Sequence, residues 1–156
     1  MIQRIQTLYL LAAFVLAVAA IFLPIGTFTD GVADIAHASC LCVQPVDGIT
    51  APSYTVLPLA AVLAAVAFLS IYAIFAFANR RYQSRLCLFS IMLLIGWYIL
   101  YAVCAILFLP HTVDEEVHFV PSMYAVLPLF ALVAILLARR GILADEKLVR
   151  DSERIR

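Results

Sequence analysis

The chain has 156 residues, of which 66% are hydrophobic and 13% charged, and its ten Lys and Arg residues balance ten Asp and Glu residues. A soluble globular domain is about half apolar and about one quarter charged, so this composition, with a mean hydropathy of +1.08, excludes an ordinary soluble domain. No stretch gathers Lys and Arg into the basic face that nucleic acids require, so a nucleic-acid partner is excluded as well.

Four apolar segments follow one another along the chain, at about residues 5–23, 54–78, 86–109 and 122–138. Each is close to the roughly 17 to 25 residues that a helix needs to cross about 30 Å of hydrocarbon. Their interiors contain no Asp, Glu, Lys, Arg or His. Because only a helix satisfies every backbone polar group over this length, the sequence predicts an all-α membrane protein, a four-transmembrane-helix bundle within residues 1–138.

The first apolar segment is expected to be retained rather than cleaved as a signal peptide. Arg4 precedes it, and the run Ala36-His37-Ala38 resembles a small-residue cleavage site. The apolar stretch ends before Pro24, however, which is about a dozen residues short of that site and too far for cleavage.

The basic residues lie on one side of the predicted bundle. They occur in the N-terminus, in the turn between the second and third segments, and in the C-terminal tail: Arg4, Arg80, Arg81, Arg85, Arg139, Arg140, Lys147, Arg150, Arg154 and Arg156. The two loops on the other side, about 24–53 and 110–121, contain acidic residues but no Lys or Arg. Loops that carry positive charge stay in the cytoplasm, so we expect both termini there.

The two halves of the chain resemble each other. Residues 52–59 read PSYTVLPL and residues 121–129 read PSMYAVLPL, which match closely apart from one inserted residue. Residues 22–24 and 108–110 both read FLP. The sequence therefore predicts two repeated helical hairpins with the same orientation, related by a pseudo-two-fold axis along the membrane normal.

The third segment carries aromatic side chains in its interior. Trp97 and Tyr98 fall near the predicted bilayer midplane, with Tyr101 one turn further on, so their N–H and O–H groups need partners. Two interpretations stay open. Either this face packs inward, with its polar atoms bonded to backbone carbonyls, or Trp97, Tyr98 and Tyr101 line a small groove for a lipid tail or a quinone-like ligand.

Cys40 and Cys42 form a pair in the first outer loop. Four-helix, quinone-linked disulfide enzymes carry cysteine pairs on this side of the membrane, but their spacing is typically Cys-x-x-Cys rather than the Cys-x-Cys found here. The pair is therefore a candidate local disulfide or two free thiols, and thiol redox chemistry is a minor alternative.

The outer loops also contain residues that could bind a metal ion. His37 lies beside the two cysteines, and the second loop has His111, His118 and the acidic run Asp114, Glu115 and Glu116. Their spacing matches no established zinc or copper signature. The sequence predicts no metal site, no cofactor and no catalytic residues, and the acidic run is expected to be a solvated loop.

Residues 139–156 form a charged tail on the cytoplasmic side. Glu146 and Arg150 are spaced as partners on adjacent helical turns, which predicts a helix. Its apolar positions are too sparse for a strong membrane-surface stripe. The tail is either a solvated helix or a docking site for a cytoplasmic partner, with Glu146, Lys147, Arg150 and Arg154 as the candidate contacts.

The two ends of the chain carry a resemblance. Residues 1–11, MIQRIQTLYLL, and residues 145–156, DEKLVRDSERIR, resemble the ends of a domain-of-unknown-function family of small four-helix membrane proteins from Gram-negative bacteria. The resemblance implies a multi-pass protein of the bacterial inner membrane whose outer loops face the periplasm. That family has no established activity, so no functional residues carry over to this sequence.

Three hypotheses for the function follow. The leading one is a non-enzymatic accessory or scaffold subunit whose partners are the lipid bilayer and a membrane or cytoplasmic protein, because the apolar segments lack the ionisable groups of pumps and proton relays. The alternative is a lipid-binding or quinone-binding membrane protein. Periplasmic thiol redox chemistry or metal binding is less favoured.

Overall fold

A computed structural model describes residues 2–29, 34–45, 54–112 and 118–154. Its long helices are α1 (Ile2–Phe22), α2 (Leu57–Phe75), α3 (Arg80–Thr112) and α4 (Leu127–Arg154). Each contains a stretch that is long and apolar enough to cross a membrane. The predicted four-helix membrane bundle is confirmed.

The helices pack in a ring, in which α1 and α3 each lie against α2 and α4. Close packing in lipid depends on small side chains at the contacts. Ala13, Ala17 and Ala20 supply them on α1, where all three are fully buried. The largest side chain of the interior is that of Trp97, which is also fully buried.

Helices α2 and α4 both begin with a Leu-Pro pair. Pro58 and Pro128 are the second residues of their helices, where a missing backbone N–H costs little. A short 3-10 helix, Met123–Val126, precedes α4, and the Ser122 hydroxyl accepts a hydrogen bond from the backbone N–H of Tyr124. The duplication of the two hairpins stays a prediction.

A five-stranded antiparallel sheet covers one end of the bundle. Its strands are β1 (Pro24–Thr29), β2 (Asp34–Ser39), β3 (Cys42–Pro45), β4 (Tyr54–Thr55) and β5 (His118–Pro121), in the spatial order β4-β3-β2-β1-β5. The sequence predicted only loops here. The strands are short, and β1 pairs with β5 from the other outer loop. No local sequence pattern therefore predicts them.

The sheet turns its small and aromatic residues towards the helices. Phe28, Ala36 and Ala38 are buried on that face. The register of β1 against β2 shifts between Pro24 and Gly26, so the consecutive residues Ile25 and Gly26 are both buried. A Cβ atom on Gly26 would overlap the Phe119 ring, so a larger residue at this strand position would displace that ring.

The opposite end of the bundle carries the basic residues, and we call it the basic end. It consists of the start of α1, the turn between α2 and α3, and the C-terminal half of α4. The turn is closed by Asn79, whose side chain accepts a hydrogen bond from the backbone N–H of Tyr82 and whose carbonyl accepts one from Gln83.

Candidate functional site

The aromatic residues of α3 are bonded to backbone carbonyls of neighbouring segments. The indole N–H of Trp97 donates to the carbonyl of Leu59 in the first turn of α2, at 3.1 Å. The hydroxyl of Tyr98 donates to the carbonyl of Ala125 at 3.0 Å. Because these groups lie among apolar side chains, each bond removes the cost of an unpaired polar atom.

Tyr101 connects α3 to the sheet. Its hydroxyl donates to the carbonyl of Ile25 in β1 at 2.9 Å, and its ring stacks on Trp97 with the centroids 5.3 Å apart. Phe119 of β5 contacts Tyr101 edge-on at 6.0 Å and packs against Phe28 of β1 at 5.2 Å. A continuous column of aromatic rings therefore runs from the bundle core into the sheet.

A small cavity lies beside Tyr101, under the sheet. It measures about 30 Å³, and its walls include Phe28, Val56, Cys104 and Phe119. This space is on the scale of one or two water molecules and is smaller than a lipid tail or a quinone ring. Tyr98 lies instead at the rim of an open hollow of about 460 Å³ on the outside of the bundle, beside Met123 and Leu129.

The two loop cysteines are free thiols with different surroundings. Cys40 is fully buried, and its thiol donates to the carbonyl of Ala20 at 3.2 Å. Burial raises the pKa of the Cys40 thiol to about 12. Cys42 is half-buried, with its sulfur 3.9 Å from the hydroxyl of Ser39. A thiol as basic as that of Cys40 stays protonated at neutral pH and is a poor nucleophile.

Of the residues that the sequence analysis weighed as possible metal ligands, only His37, Cys40 and Cys42 have described side chains. Within the described part of the chain, no group of three or more His, Cys, Asp and Glu side chains could hold an ion. His37 and Cys42 line an open outer hollow of about 420 Å³. Asp114, Glu115 and Glu116, and the side chains of His111 and His118, lie outside the described residues.

The charged tail is continuous with α4 and lies against the bundle. The Gln6 amide donates to the carboxylate of Asp145 at 2.7 Å, and these side chains are only 6% and 7% exposed. Gly141 leaves space for the side chain of Gln6, because a Cβ on residue 141 would lie only 3.0 Å from it. Two apolar residues on the same face, Ala138 and Ile142, are fully buried.

A second contact, at the surface, links the tail to α3. Arg81 forms a salt bridge with Glu146, with 3.0 Å between Nε and Oε1. Glu146, one of the predicted docking residues, is therefore already engaged within the chain. Lys147 is exposed. Arg150 and Arg154 belong to α4, but their side chains lie outside the described residues.

The sequence that forms these helices and strands matches a known family over nearly its whole length. The sequence model of that family, described as Domain of unknown function (DUF4293), matches residues 2–155. The chain belongs to the DUF4293 family. This finding confirms the membership in a domain-of-unknown-function family that the two ends of the sequence predicted. No curated protein matches this DUF4293 chain.

Sequence reasoning did not single out the polar residues that hold the basic end together. Gln6 and Asp145 are far apart in the chain, and neither belongs to a local motif. One signal was available: Gln6 is a strongly polar side chain within an otherwise apolar segment, and Gly141 interrupts a good helix-forming sequence. Both features mark a close contact between helices, although neither identifies the partner.

Proposed function

We propose that this chain is a non-enzymatic accessory protein of the bacterial inner membrane, which binds a cytoplasmic protein through the outward face of the C-terminal half of α4. The observation that carries the proposal is the buried hydrogen bond between Gln6 and Asp145. A solvated tail has no need to bury a carboxylate, since burial is costly unless the group is paired. Here the pairing fixes the rotation of the tail helix against α1.

The fixed helix presents a defined outward surface. Five of its exposed positions recur at spacings of three and four residues, so they share one helical face: Arg140, Leu143, Ala144, Lys147 and Leu148. Val149 is exposed as well, on another side of the helix. Leu148 is 62% exposed. Arg150 and Arg154 follow three and seven residues after Lys147. Apolar side chains among cations favour a partner helix whose apolar residues are flanked by Asp and Glu.

The positions of the positively charged residues support a cytoplasmic location for the basic end. Arg80, Arg81 and Arg85 lie in the first turns of α3, and Arg139, Arg140 and Lys147 lie in α4, all at the basic end. The positive-inside rule places such an end in the cytoplasm and the sheet on the periplasmic side. At 1.5 Å per residue, the part of α4 from Arg140 to Arg154 is about 21 Å long, which is long enough for a partner to bind.

Site-specific photo-crosslinking in native membranes tests this proposal. A photoreactive residue at Ala144 is expected to give a discrete crosslinked protein, and Lys147→Glu is expected to abolish that product. The matched control carries the photoreactive residue at Phe130, which is exposed on the same helix within the apolar span. The same products from both positions, or a product that survives Lys147→Glu, would contradict the proposal.

Lipid or quinone binding near Trp97, Tyr98 and Tyr101 is the second candidate, and one observation favours it. The hollow of about 460 Å³ beside Tyr98 opens on the outside of the bundle, where a lipid tail would lie. Mass spectrometry of the protein released from native lipid is expected to detect a retained lipid or quinone that Leu129→Trp displaces. A protein released without such a molecule would dispose of this candidate.

A further inference from the structure

A cleft at the basic end, which we call the basal cleft, separates the start of α1 from the end of α2 and the start of α3. It measures about 390 Å³, and its walls include Gln6, Thr7, Phe75, Phe77, Arg80 and Gln83. That volume falls within the range of ligand-binding pockets in proteins. We propose that the basal cleft binds the headgroup of an anionic phospholipid.

The walls of the basal cleft have the polarity of a phospholipid. Gln6, Arg80 and Gln83 supply polar groups, whereas Phe75 and Phe77 are 71% and 68% exposed at the end of an apolar helix. Phenyl rings are purely apolar, so in a chain that spans a membrane these exposed rings favour contact with acyl chains over contact with water. A ligand that fits both kinds of wall has a charged head and apolar tails.

The cleft is cationic. None of its described lining residues carries a carboxylate, and residues 76–86, which form its turn, contain no Asp or Glu. Within the described ranges, the acidic Glu146 is bonded to Arg81, and no carboxylate pairs with Arg80. Arg80 is also the first residue of α3, where the helix dipole adds a partial positive charge. A phosphodiester therefore finds an available guanidinium that can bind two of its oxygens.

Two of the polar wall residues, Gln6 and Gln83, are held in place before any ligand arrives. The amide of Gln83 is buried and donates to the carbonyl of Ala73 at the end of α2, at 3.0 Å. The amide of Gln6 is held by its hydrogen bond to Asp145 of α4. Fixed walls reduce the ordering cost of binding, so this cleft differs from a diffuse basic surface that merely attracts anionic lipid.

Native mass spectrometry of the full chain with added lipids provides the test. The purified protein is delipidated and then titrated with phosphatidylglycerol, or with phosphatidylcholine as the zwitterionic comparison. One surface cation contributes about 1 kcal/mol to anionic-lipid attraction, or about fivefold in affinity. We expect Arg80→Gln to weaken phosphatidylglycerol binding by clearly more than that factor.

Two matched variants decide between a built site and general attraction. Arg140→Gln removes an exposed cation from the same end of the bundle but away from the cleft. We expect it to weaken phosphatidylglycerol binding by no more than the roughly fivefold factor of one surface cation. Phe77→Ala changes an exposed side chain, so it leaves the fold intact and is expected to weaken lipid binding alone. Equal losses for Arg80→Gln and Arg140→Gln, or no loss for Phe77→Ala, would overturn the proposal.

A soluble phosphate source gives a different result. Glycerol phosphate carries the headgroup chemistry without the tails, and we expect that millimolar amounts do not displace phosphatidylglycerol. Displacement by glycerol phosphate would assign the cleft to a soluble phosphate ester and overturn the lipid proposal. Arg80→Lys keeps the charge but loses the two-pronged contact, so intermediate binding is expected.

Discussion

The side-chain amide of Gln6 donates a hydrogen bond of 2.7 Å to the carboxylate of Asp145, and so joins the first turns of α1 to the last turns of α4. Both side chains are almost fully buried. Breaking one partner of a buried polar pair leaves the other without compensation, which costs more than the pair contributes.

Gln6→Leu is therefore expected to lower the free energy of unfolding by about 1 to 3 kcal/mol, because it leaves the Asp145 carboxylate buried and unpaired. The double variant Gln6→Leu, Asp145→Leu should recover much of that loss, since no polar group is then left unpaired. Unfolding in detergent measures both. Gln44→Leu, at an exposed strand position, is the control and should change little. Equal effects of Gln6→Leu and Gln44→Leu would contradict this prediction.

Gly26→Ala is expected to destabilise the sheet end by about 1 to 3 kcal/mol, because the added methyl group overlaps the Phe119 ring. Gly96 is the matched control, since a Cβ there meets nothing within 4 Å. In α3, Gly96→Ala should stabilise the helix by about 0.5 to 1 kcal/mol. Thermal unfolding of the two variants in the same detergent compares them. A smaller side chain at position 119 should restore part of the stability that Gly26→Ala loses. If neither glycine substitution lowered the unfolding temperature, the described packing would be contradicted.

Tyr101→Phe removes the hydroxyl through which α3 donates a hydrogen bond to β1. We expect the free energy of unfolding to fall by about 0.5 to 1.5 kcal/mol. The loss stays small because the Ile25 carbonyl also accepts a hydrogen bond from the backbone N–H of Ser122. Hydrogen exchange should become faster in β1 and β5 while the middle of α2 is unchanged. Tyr124→Phe, at a largely exposed position, provides the comparison and should leave the sheet protected. Uniformly faster exchange through all elements would contradict a local role for Tyr101.

Cys40 predicts a dependence of stability on alkaline pH. Its pKa is about 12 in the folded chain, against 9.0 for an ordinary thiol, because burial disfavours the thiolate. As the pH rises, the unfolded chain therefore loses this proton before the folded chain does. The contribution of Cys40 to the stability of the fold is complete below about pH 9 and is lost as the pH rises towards about 12. Cys40→Ala should flatten the fall of the unfolding midpoint over this window, whereas Cys42→Ala should retain it. Identical slopes for the two variants would show that Cys40 is not the titrating group.

Local composition explains what could be predicted from the sequence. The spans follow from apolar length, and the basic end follows from the positions of Lys and Arg, because neither property depends on distant residues. Trp97 and Tyr101 were recognised as residues that need polar partners, and the structure supplies Leu59 and Ile25. Such carbonyls are present in every residue, so no sequence pattern could have identified these two.

The remaining features depend on contacts between distant segments. The pairing of β1 with β5, the close approach of the Phe119 ring to Gly26, and the contact of Gln6 with Asp145 each join residues from different hairpins. Single-sequence patterns describe periodicity within a segment and contain no information about which segments meet. The sheet was missed for this reason, and because its short strands contain Pro, Gly, Asp and Ala among their β-branched and aromatic residues.

The pairing of β1 with β5 also sets the order in which the protein can assemble in the membrane. β1 directly follows the first helix, whereas β5 lies between the third and the fourth. During synthesis β1 can pair with β2 as soon as the first hairpin is inserted, but its other edge stays open until α3 has crossed the bilayer. Closure of that edge therefore depends on α3 but does not wait for α4, which follows β5 in the chain.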